Sequence, residues 1–403
     1  MLLRTSALTD ADTTLARSAP TRWATRTQFF CSGFIFATWG VHIPTVKAHY
    51  GVDEAGLGLA LLAAGFGALF GISRAGSWIG RHGAARMALI TGTVYALLVA
   101  LLIHMPSYAF LLVLLAGFGL VTSVFDVAIN TEASQLELHG GRPLMSGMHG
   151  MFSLGGMAGA VSGSAALAAG LPPNWHLALV AGVMAVAVAG GTRWMLPRRF
   201  TASTAPAEGG FRLPRGSLVV LGILAALGLV AEGAMYDWSV LYLQQELGSP
   251  QQQAALAYAS FSAAMAAARF GGDALRARFA SATLLRASAS LAALSMAGVL
   301  LTDSPWLALA GFAGVGIGFA NVVPILFAAA ARVPGVDAAR GIAAVSAAAY
   351  LGFMAGPPMI GFLARVSSLT AALSVVVVFA VALAVAAPRA AASAGAPASP
   401  GVD

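Results

Sequence analysis

All but two of the lysines and arginines in this chain fall on one side of a repeating pattern of long apolar segments. The segments run over 27–45, 56–76, 86–105, 108–132, 145–170, 175–196, 217–243, 252–274, 282–302, 305–331, 340–364 and 369–388. If the chain enters the first from the cytoplasm, the 22 Lys and Arg gather at cytoplasmic ends and loops, and only Lys47 and Arg365 lie opposite. Such a bias sets the orientation of a membrane protein. It predicts an all-α protein that crosses a bilayer twelve times with both termini inside. A crossing needs about 20 mostly apolar residues, and 403 residues hold twelve of them with short connections.

Composition narrows the class further. A mean hydropathy of +0.83 with 59% hydrophobic and 9% charged residues excludes an ordinary soluble domain. The net charge of +7 would suit nucleic acid, but the arginines are spread over inner loops and carry topology, so no nucleic-acid partner is expected. Cys31, the single cysteine, lies in the first apolar segment and reads as a small hydrophobe. Residues 1–26 read as a cytoplasmic tail leading into an uncleaved first helix, because no short apolar stretch with a small-residue cleavage site precedes it. Residues 389–403, rich in Ala, Pro, Gly and Ser, read as a disordered cytoplasmic tail.

The chain divides in two. Residues 197–216, PRRFTASTAPAEGGFRLPRG, form a polar linker between six segments (27–196) and six more (217–388). SLGGMAG from Ser153 recurs as YLGFMAG from Tyr350, 197 positions later, with Leu, Gly, Met, Ala and Gly retained. The fifth and eleventh segments are therefore equivalent members of two pseudo-symmetric bundles, the pattern of a transporter whose halves rock against each other. Small residues repeat every fourth position at Ala63, Gly67 and Gly71, at Gly155, Gly159 and Gly163, and at Gly352 and Gly356. That spacing lets helix backbones approach closely in lipid. Pro324, Pro357 and Pro358 interrupt backbone bonding within segments.

Four stretches carry a family resemblance: DVAINTEASQLELHGGRPLMSGMHGMFSLGGMAGA (126–160), AEGAMYDWSVLYL (231–243), RFGGDALRARFASATLLRAS (269–288) and YLGFMAGPPMIGFL (350–363). Together they resemble the major facilitator superfamily, and within it the YbjJ-like branch of bacterial inner-membrane transporters, distantly related to fucose permease. The resemblance implies alternating access and a central cavity lined mainly by the first, fourth, seventh and tenth helices. The superfamily's loop motif between helices two and three, G-x-L-A-D-R-x-G-R-K/R, is similar to GSWIGRHGAAR (76–86), where Gly80 replaces the acid and Arg86 stands just beyond two alanines. The second-half copy, GGDALRARF, keeps Asp273 with Arg276 and Arg278. The resemblance implies a cytoplasmic charge latch built from these residues and Arg81. Arginines that serve topology alone are the other reading.

Charged groups at membrane depth cost about 2.5 to 3.5 kcal/mol on insertion scales, so each needs a reason. Glu232, among apolar neighbours in the seventh segment, is the expected proton carrier, with a structural acid as the alternative. Asp237 is rotated from it by about 140° and reads as an outer gate, a helix cap or a second coupling group. Asp126, a further proton-coupling candidate, shares a face with Asn130 and Thr122, forming a polar stripe suited to a cavity wall or to static bonds between helices. Glu132, Glu137 and Arg142 stand at the inner end of that helix as gate or latch residues. His149 reads as a proton relay or as a partner of Glu132 or Glu137. Trp39 and His42, three residues apart, can both face the cavity, and Tyr236 and Asn321 complete its expected polar lining.

No phosphate-binding loop, metal-ligand spacing or nucleophile elbow occurs, so the chain is not expected to be an enzyme, to use ATP or to hold a cofactor. A proton gradient is the expected energy source and a functional monomer the expected state. No Lys or Arg falls deep in the four lining helices, which argues against strongly anionic solutes. A proton-coupled exporter of a small neutral or cationic organic solute fits best, because few polar groups remain to recognise a specific sugar. A passive facilitator, a proton-coupled sugar or metabolite importer and a transporter-like sensor are the competing readings.

Overall fold

A computed structural model describes residues 10–141, 144–200 and 215–393. Among these residues the chain is helical throughout, with no strand. A short helix, α1 (Asp10–Arg17), leads into α2 (Ala19–Tyr50), α3 (Glu54–His82), α4 (Ala84–Ala100), α5 (Tyr108–Gly140), α6 (Met145–Ala168) and α7 (Pro173–Thr192). The second half comprises α8 (Ser217–Gln245), α9 (Gln251–Arg278), α10 (Ser281–Leu301), α11 (Pro305–Phe319), α12 (Val322–Ala330), α13 (Ala338–Val366) and α14 (Leu369–Ser393). Successive long helices run in opposite directions, so the described ends of the chain lie at one end of the bundle, here the terminal end. The other is the far end.

Each predicted segment has a helix, and four details differ. The first crossing starts earlier than 27, because Ser18 caps α2 by accepting the Thr21 N–H at 3.3 Å and Pro20 opens its first turn. Residues 10–17 of the expected tail are helical and pack on α5. The tenth segment is two helices, broken at Ala320 and Asn321. Pro324 has no N–H to return to the Ala320 carbonyl, so the ladder restarts with Ile325 donating to Asn321 at 3.1 Å. Residues 389–393 of the expected disordered tail continue α14; residues 394–403 lie outside the described residues, as do 201–214, most of the proposed linker.

Among the described residues, ten helical spans are apolar and long enough to cross a membrane, α11 and α12 counting as one. The two that fall short do so for physical reasons. Helix α4 is 17 residues long, and α9 is too polar, carrying Gln, Ser, Asp and Arg. The most buried helices are α2 and α8, the first of each half.

The repeat in the sequence is a repeat in packing. Helix α6 lies on α2 as α13 lies on α8, α3 on α5 as α9 on α11, and α4 on α7 as α10 on α14. The shared L-G-x-M-A-G stretch supplies matching contacts. Gly155 abuts the Phe30 carbonyl of α2, and its counterpart Gly352 sits where a Cβ would lie 2.7 Å from the Ala226 Cβ of α8. No larger side chain fits either crossing, so the glycine spacing fixes how close these helices come. Between halves, α6 packs on α9 and α3 on α13, again as a symmetric pair.

Candidate functional site

The two halves enclose a cavity of about 280 Å³. Its wall is mostly apolar and aromatic, built from α2, α3, α5, α8 and α13 with Tyr95 of α4 and Phe152 of α6. The tenth segment, α11 and α12, supplies none of these lining residues, contrary to the family-based expectation. Its middle is spent on packing: Val322 stands against Gly228 of α8, and the Asn321 amide oxygen accepts from Arg276 Nη1 at 3.2 Å. Helices α3 and α13 take its place through Leu61–Ile72 and Tyr350–Pro357.

Six of the predicted polar and aromatic residues meet at this cavity: Trp39, Thr122, Asp126, Glu232, Tyr236 and Asp237. Trp39 is buried against Phe118 with ring centres 6.3 Å apart. Tyr236 of α8 reaches Phe36 of α2 at 5.6 Å, so an aromatic contact joins the halves across the cavity. The Asp126 carboxylate accepts from Asn130 Nδ2 at 3.1 Å, and Thr122 donates to its own helix at Phe118 O. Asp237 is 5% exposed and has no hydrogen-bond or ion-pair partner among the described residues.

Four predicted residues stand outside the cavity wall. His42 is fully buried and turns instead toward α7, where its Nε2 lies 2.9 Å from His176 Nδ1, and His176 Nε2 lies 3.1 Å from Ser162 Oγ. Asn130 sits behind Asp126 and Asn321 sits at the helix-ten break. His149 packs edge-on against Phe29 at 5.5 Å rather than bonding to Glu132 or Glu137.

The carboxylates at the terminal end bond within the first half. Glu132 accepts the Leu196 N–H at 2.5 Å, holding the chain after α7 against α5. Glu137 accepts the Leu144 and Met145 N–H groups at 2.9 and 3.0 Å, capping α6 from the preceding helix. Arg81, Arg86 and Arg278 are exposed at this end. Arg142 and the Asp273 side chain lie outside the described residues, and with them the acid of the expected latch.

Arg269 is the residue that sequence reasoning missed. It had been grouped with loop arginines, yet it lies nine residues before the end of α9 and its side chain is 13% exposed. Its Nη2 donates to Glu232 Oε1 at 2.9 Å and its Nη1 to Ser153 Oγ of α6 at 2.9 Å. Tyr236 Oη donates to the same Glu232 oxygen at 3.4 Å. One guanidinium thus ties the acid of the second half to a hydroxyl of the first. The available signal was its surroundings, since SAAMAAARFGG is small and apolar where a loop would be polar.

Further bonds between the halves lie at the far end. Arg365 Nε is 3.2 Å from Asp53 Oδ2, joining α13 to the residue capping α3. Gln251 Nε2 donates to Val41 O at 3.0 Å and Thr45 Oγ1 at 2.9 Å, and Ser164 Oγ to Gln252 O at 2.6 Å. Gly58 backs onto Pro357 and Pro358, where a Cβ would lie 3.0 Å from both. Toward the terminal end of α3, Ser73, Arg74 and Gly76 are exposed, and a Cβ at Gly76 or Gly80 would meet nothing within 4 Å. Lys47 and Arg365, the two cations on the sparse side, are therefore both paired: Lys47 Nζ lies 3.1 Å from Glu54 Oε1.

The sequence model of the Major Facilitator Superfamily matches residues 27–339. The chain belongs to the major facilitator superfamily. An uncharacterized MFS-type transporter of Yersinia pestis is 34% identical over 354 residues, covering 88% of this chain and 91% of that protein. Among solved structures, the nucleoside transporter NupG aligns with a TM-score of 0.71 at 14% identity, covering 91% of this chain and 99% of that one. The Escherichia coli fucose:proton symporter FucP aligns with a TM-score of 0.61 at 15% identity, covering 92% and 98%. Twelve crossings in two six-helix halves are the superfamily's fold, and its members move solutes across membranes rather than catalyse reactions. The chain is accordingly a multi-pass membrane transporter.

Proposed function

We propose that this transporter couples the movement of a small organic solute to the proton gradient, by alternating access across the bacterial inner membrane, as a monomer without cofactors. The carrying observation is the Arg269 bridge. Glu232 is a cavity-wall acid whose ionised form holds Arg269, while Arg269 also holds Ser153 of the other half. A proton arriving on Glu232 removes the charge that orders the guanidinium, so protonation and the strength of the contact between halves are linked. The termini and the linker face the cytoplasm on this reading, since the loop arginines gather at that end. The far-end bonds then belong to an inward-facing form, with the cavity reached between the terminal ends of α3 and α13. The mainly apolar wall, with few groups to specify a sugar's hydroxyls, favours export.

The test uses proteoliposomes containing a pH-sensitive dye, challenged with a metabolite library. Wild type is expected to move protons when a transported solute is added, and Glu232→Gln to lose that coupling. Solute movement with no proton movement in wild type assigns a passive facilitator instead.

A further inference from the structure

The cavity wall has more negative charge than its surroundings neutralise. Asp126, Glu232 and Asp237 all line it, and none of the lining residues is a lysine or arginine. Arg269, behind the wall, is engaged by Glu232. Asp126 accepts one side-chain hydrogen bond, from the neutral Asn130. Asp237 is nine-tenths buried, faces the cavity and has neither hydrogen bond nor ion pair among the described residues. A carboxylate withdrawn from water needs a proton or a cation in its place. The same cavity wall carries Phe36, Trp39, Phe118 and Tyr236, and aromatic ring faces attract organic cations.

We propose, resting on the transport reading above, that the solute is an organic amine: a single protonated nitrogen on a compact apolar body. Asp237 accepts the hydrogen bonds of the ammonium group, and Asp126 supplies the second negative charge that excludes anions. The aromatic wall covers the apolar body. A volume of about 280 Å³ sits at the small end of ligand sites, which suits a body of one ring or a short chain.

Three probes of one shape separate charge from fit: 2-phenylethylamine, 2-phenylethanol and 3-phenylpropanoate. Binding to the purified full-length protein is read by calorimetry and by ligand-dependent thermal shift. The amine is expected to bind wild type at least about tenfold more tightly than the alcohol, and the carboxylate least. Asp237→Asn should lose the amine's advantage yet keep the weak alcohol binding that reports an intact cavity, and Asp237→Glu should restore part of the advantage. An amine no better than the alcohol in wild type, an advantage that survives in Asp237→Asn, or no binding of the amine at millimolar concentration overturns the assignment. Halves that rock while the amine is not preferred would sink the substrate class alone. Halves that never move would sink the transport mechanism.

Discussion

Arg269, behind the wall of the central cavity, forms an ion pair at 2.9 Å with Glu232 of that wall, and the same guanidinium reaches across to Ser153 of the opposite half. Two charges removed from water are stable only together, because each alone would carry an uncompensated desolvation cost.

Breaking the pair from one side should therefore be worse than removing it whole. Arg269→Met or Glu232→Leu is expected to destabilise the protein by about 3–5 kcal/mol, and the double variant by much less. Thermal unfolding of the three proteins in one detergent checks this. Additive losses would mean the two residues are not coupled.

The far-end pair of Arg365 and Asp53 behaves differently, since their side chains are 60% and 46% exposed. Its contribution to stability should be no more than about 1 kcal/mol. Its position across the α3–α13 seam gives it a conformational role instead. Asp53→Ala also removes the N-cap bond to Gly56, so Arg365→Gln is the cleaner variant. It should leave the melting temperature nearly unchanged while raising reagent access to a cysteine placed at Leu61 in the cavity wall. Unchanged access would remove this pair from the gate.

Helix crossings set a third test. Gly155→Leu and Gly352→Leu should both be strongly destabilising, because each places a side chain where another helix backbone already lies. Gly182→Ala in α7 meets nothing within 4 Å and should be neutral or stabilising by about 0.5–1 kcal/mol. Expression and thermal stability of the three variants separate packing glycines from incidental ones.

Glu137 offers a prediction away from the cavity. Replacing it with Ala exposes the Leu144 and Met145 N–H groups at the start of α6, at a cost of about 1–2 kcal/mol. Glu137→Gln, whose amide oxygen still accepts, should recover most of it. A loss confined to transport, with stability intact, would return Glu137 to a gating role.

The sequence made the crossings legible because a helix in lipid must be apolar along its whole length, and the repeat around Ser153 and Tyr350 made the two halves legible because equal crossings need equal glycines. Asp126, Glu232 and Asp237 were legible as buried acids, since nothing in their helices offered them a loop. Partners were not. Arg269 reads like its topological neighbours Arg276 and Arg278 until its side chain is seen between Glu232 and Ser153 of the two halves. His42 and Trp39 share a helix and differ by about 60° in direction, enough for one to face the cavity and the other His176. That choice depends on where α7 lies, which no local pattern encodes. The helix-ten break at Asn321 was announced by Pro324, while its consequence, a wall built from α3 and α13 instead, depends on packing between halves.

Cys31 is 1% exposed and is the chain's single cysteine, so the protein is a near-ready background for paired spin labels. The central claim is that the halves exchange access under the control of Glu232. Double electron–electron resonance in lipid nanodiscs tests it with one label pair at the terminal end, Arg81→Cys with Arg340→Cys, and one at the far end, Ala48→Cys with Val366→Cys. Glu232→Gln, which removes the charge that holds Arg269, should change the two distances in opposite directions relative to wild type. Distances in Glu232→Gln that match those of wild type would contradict the account.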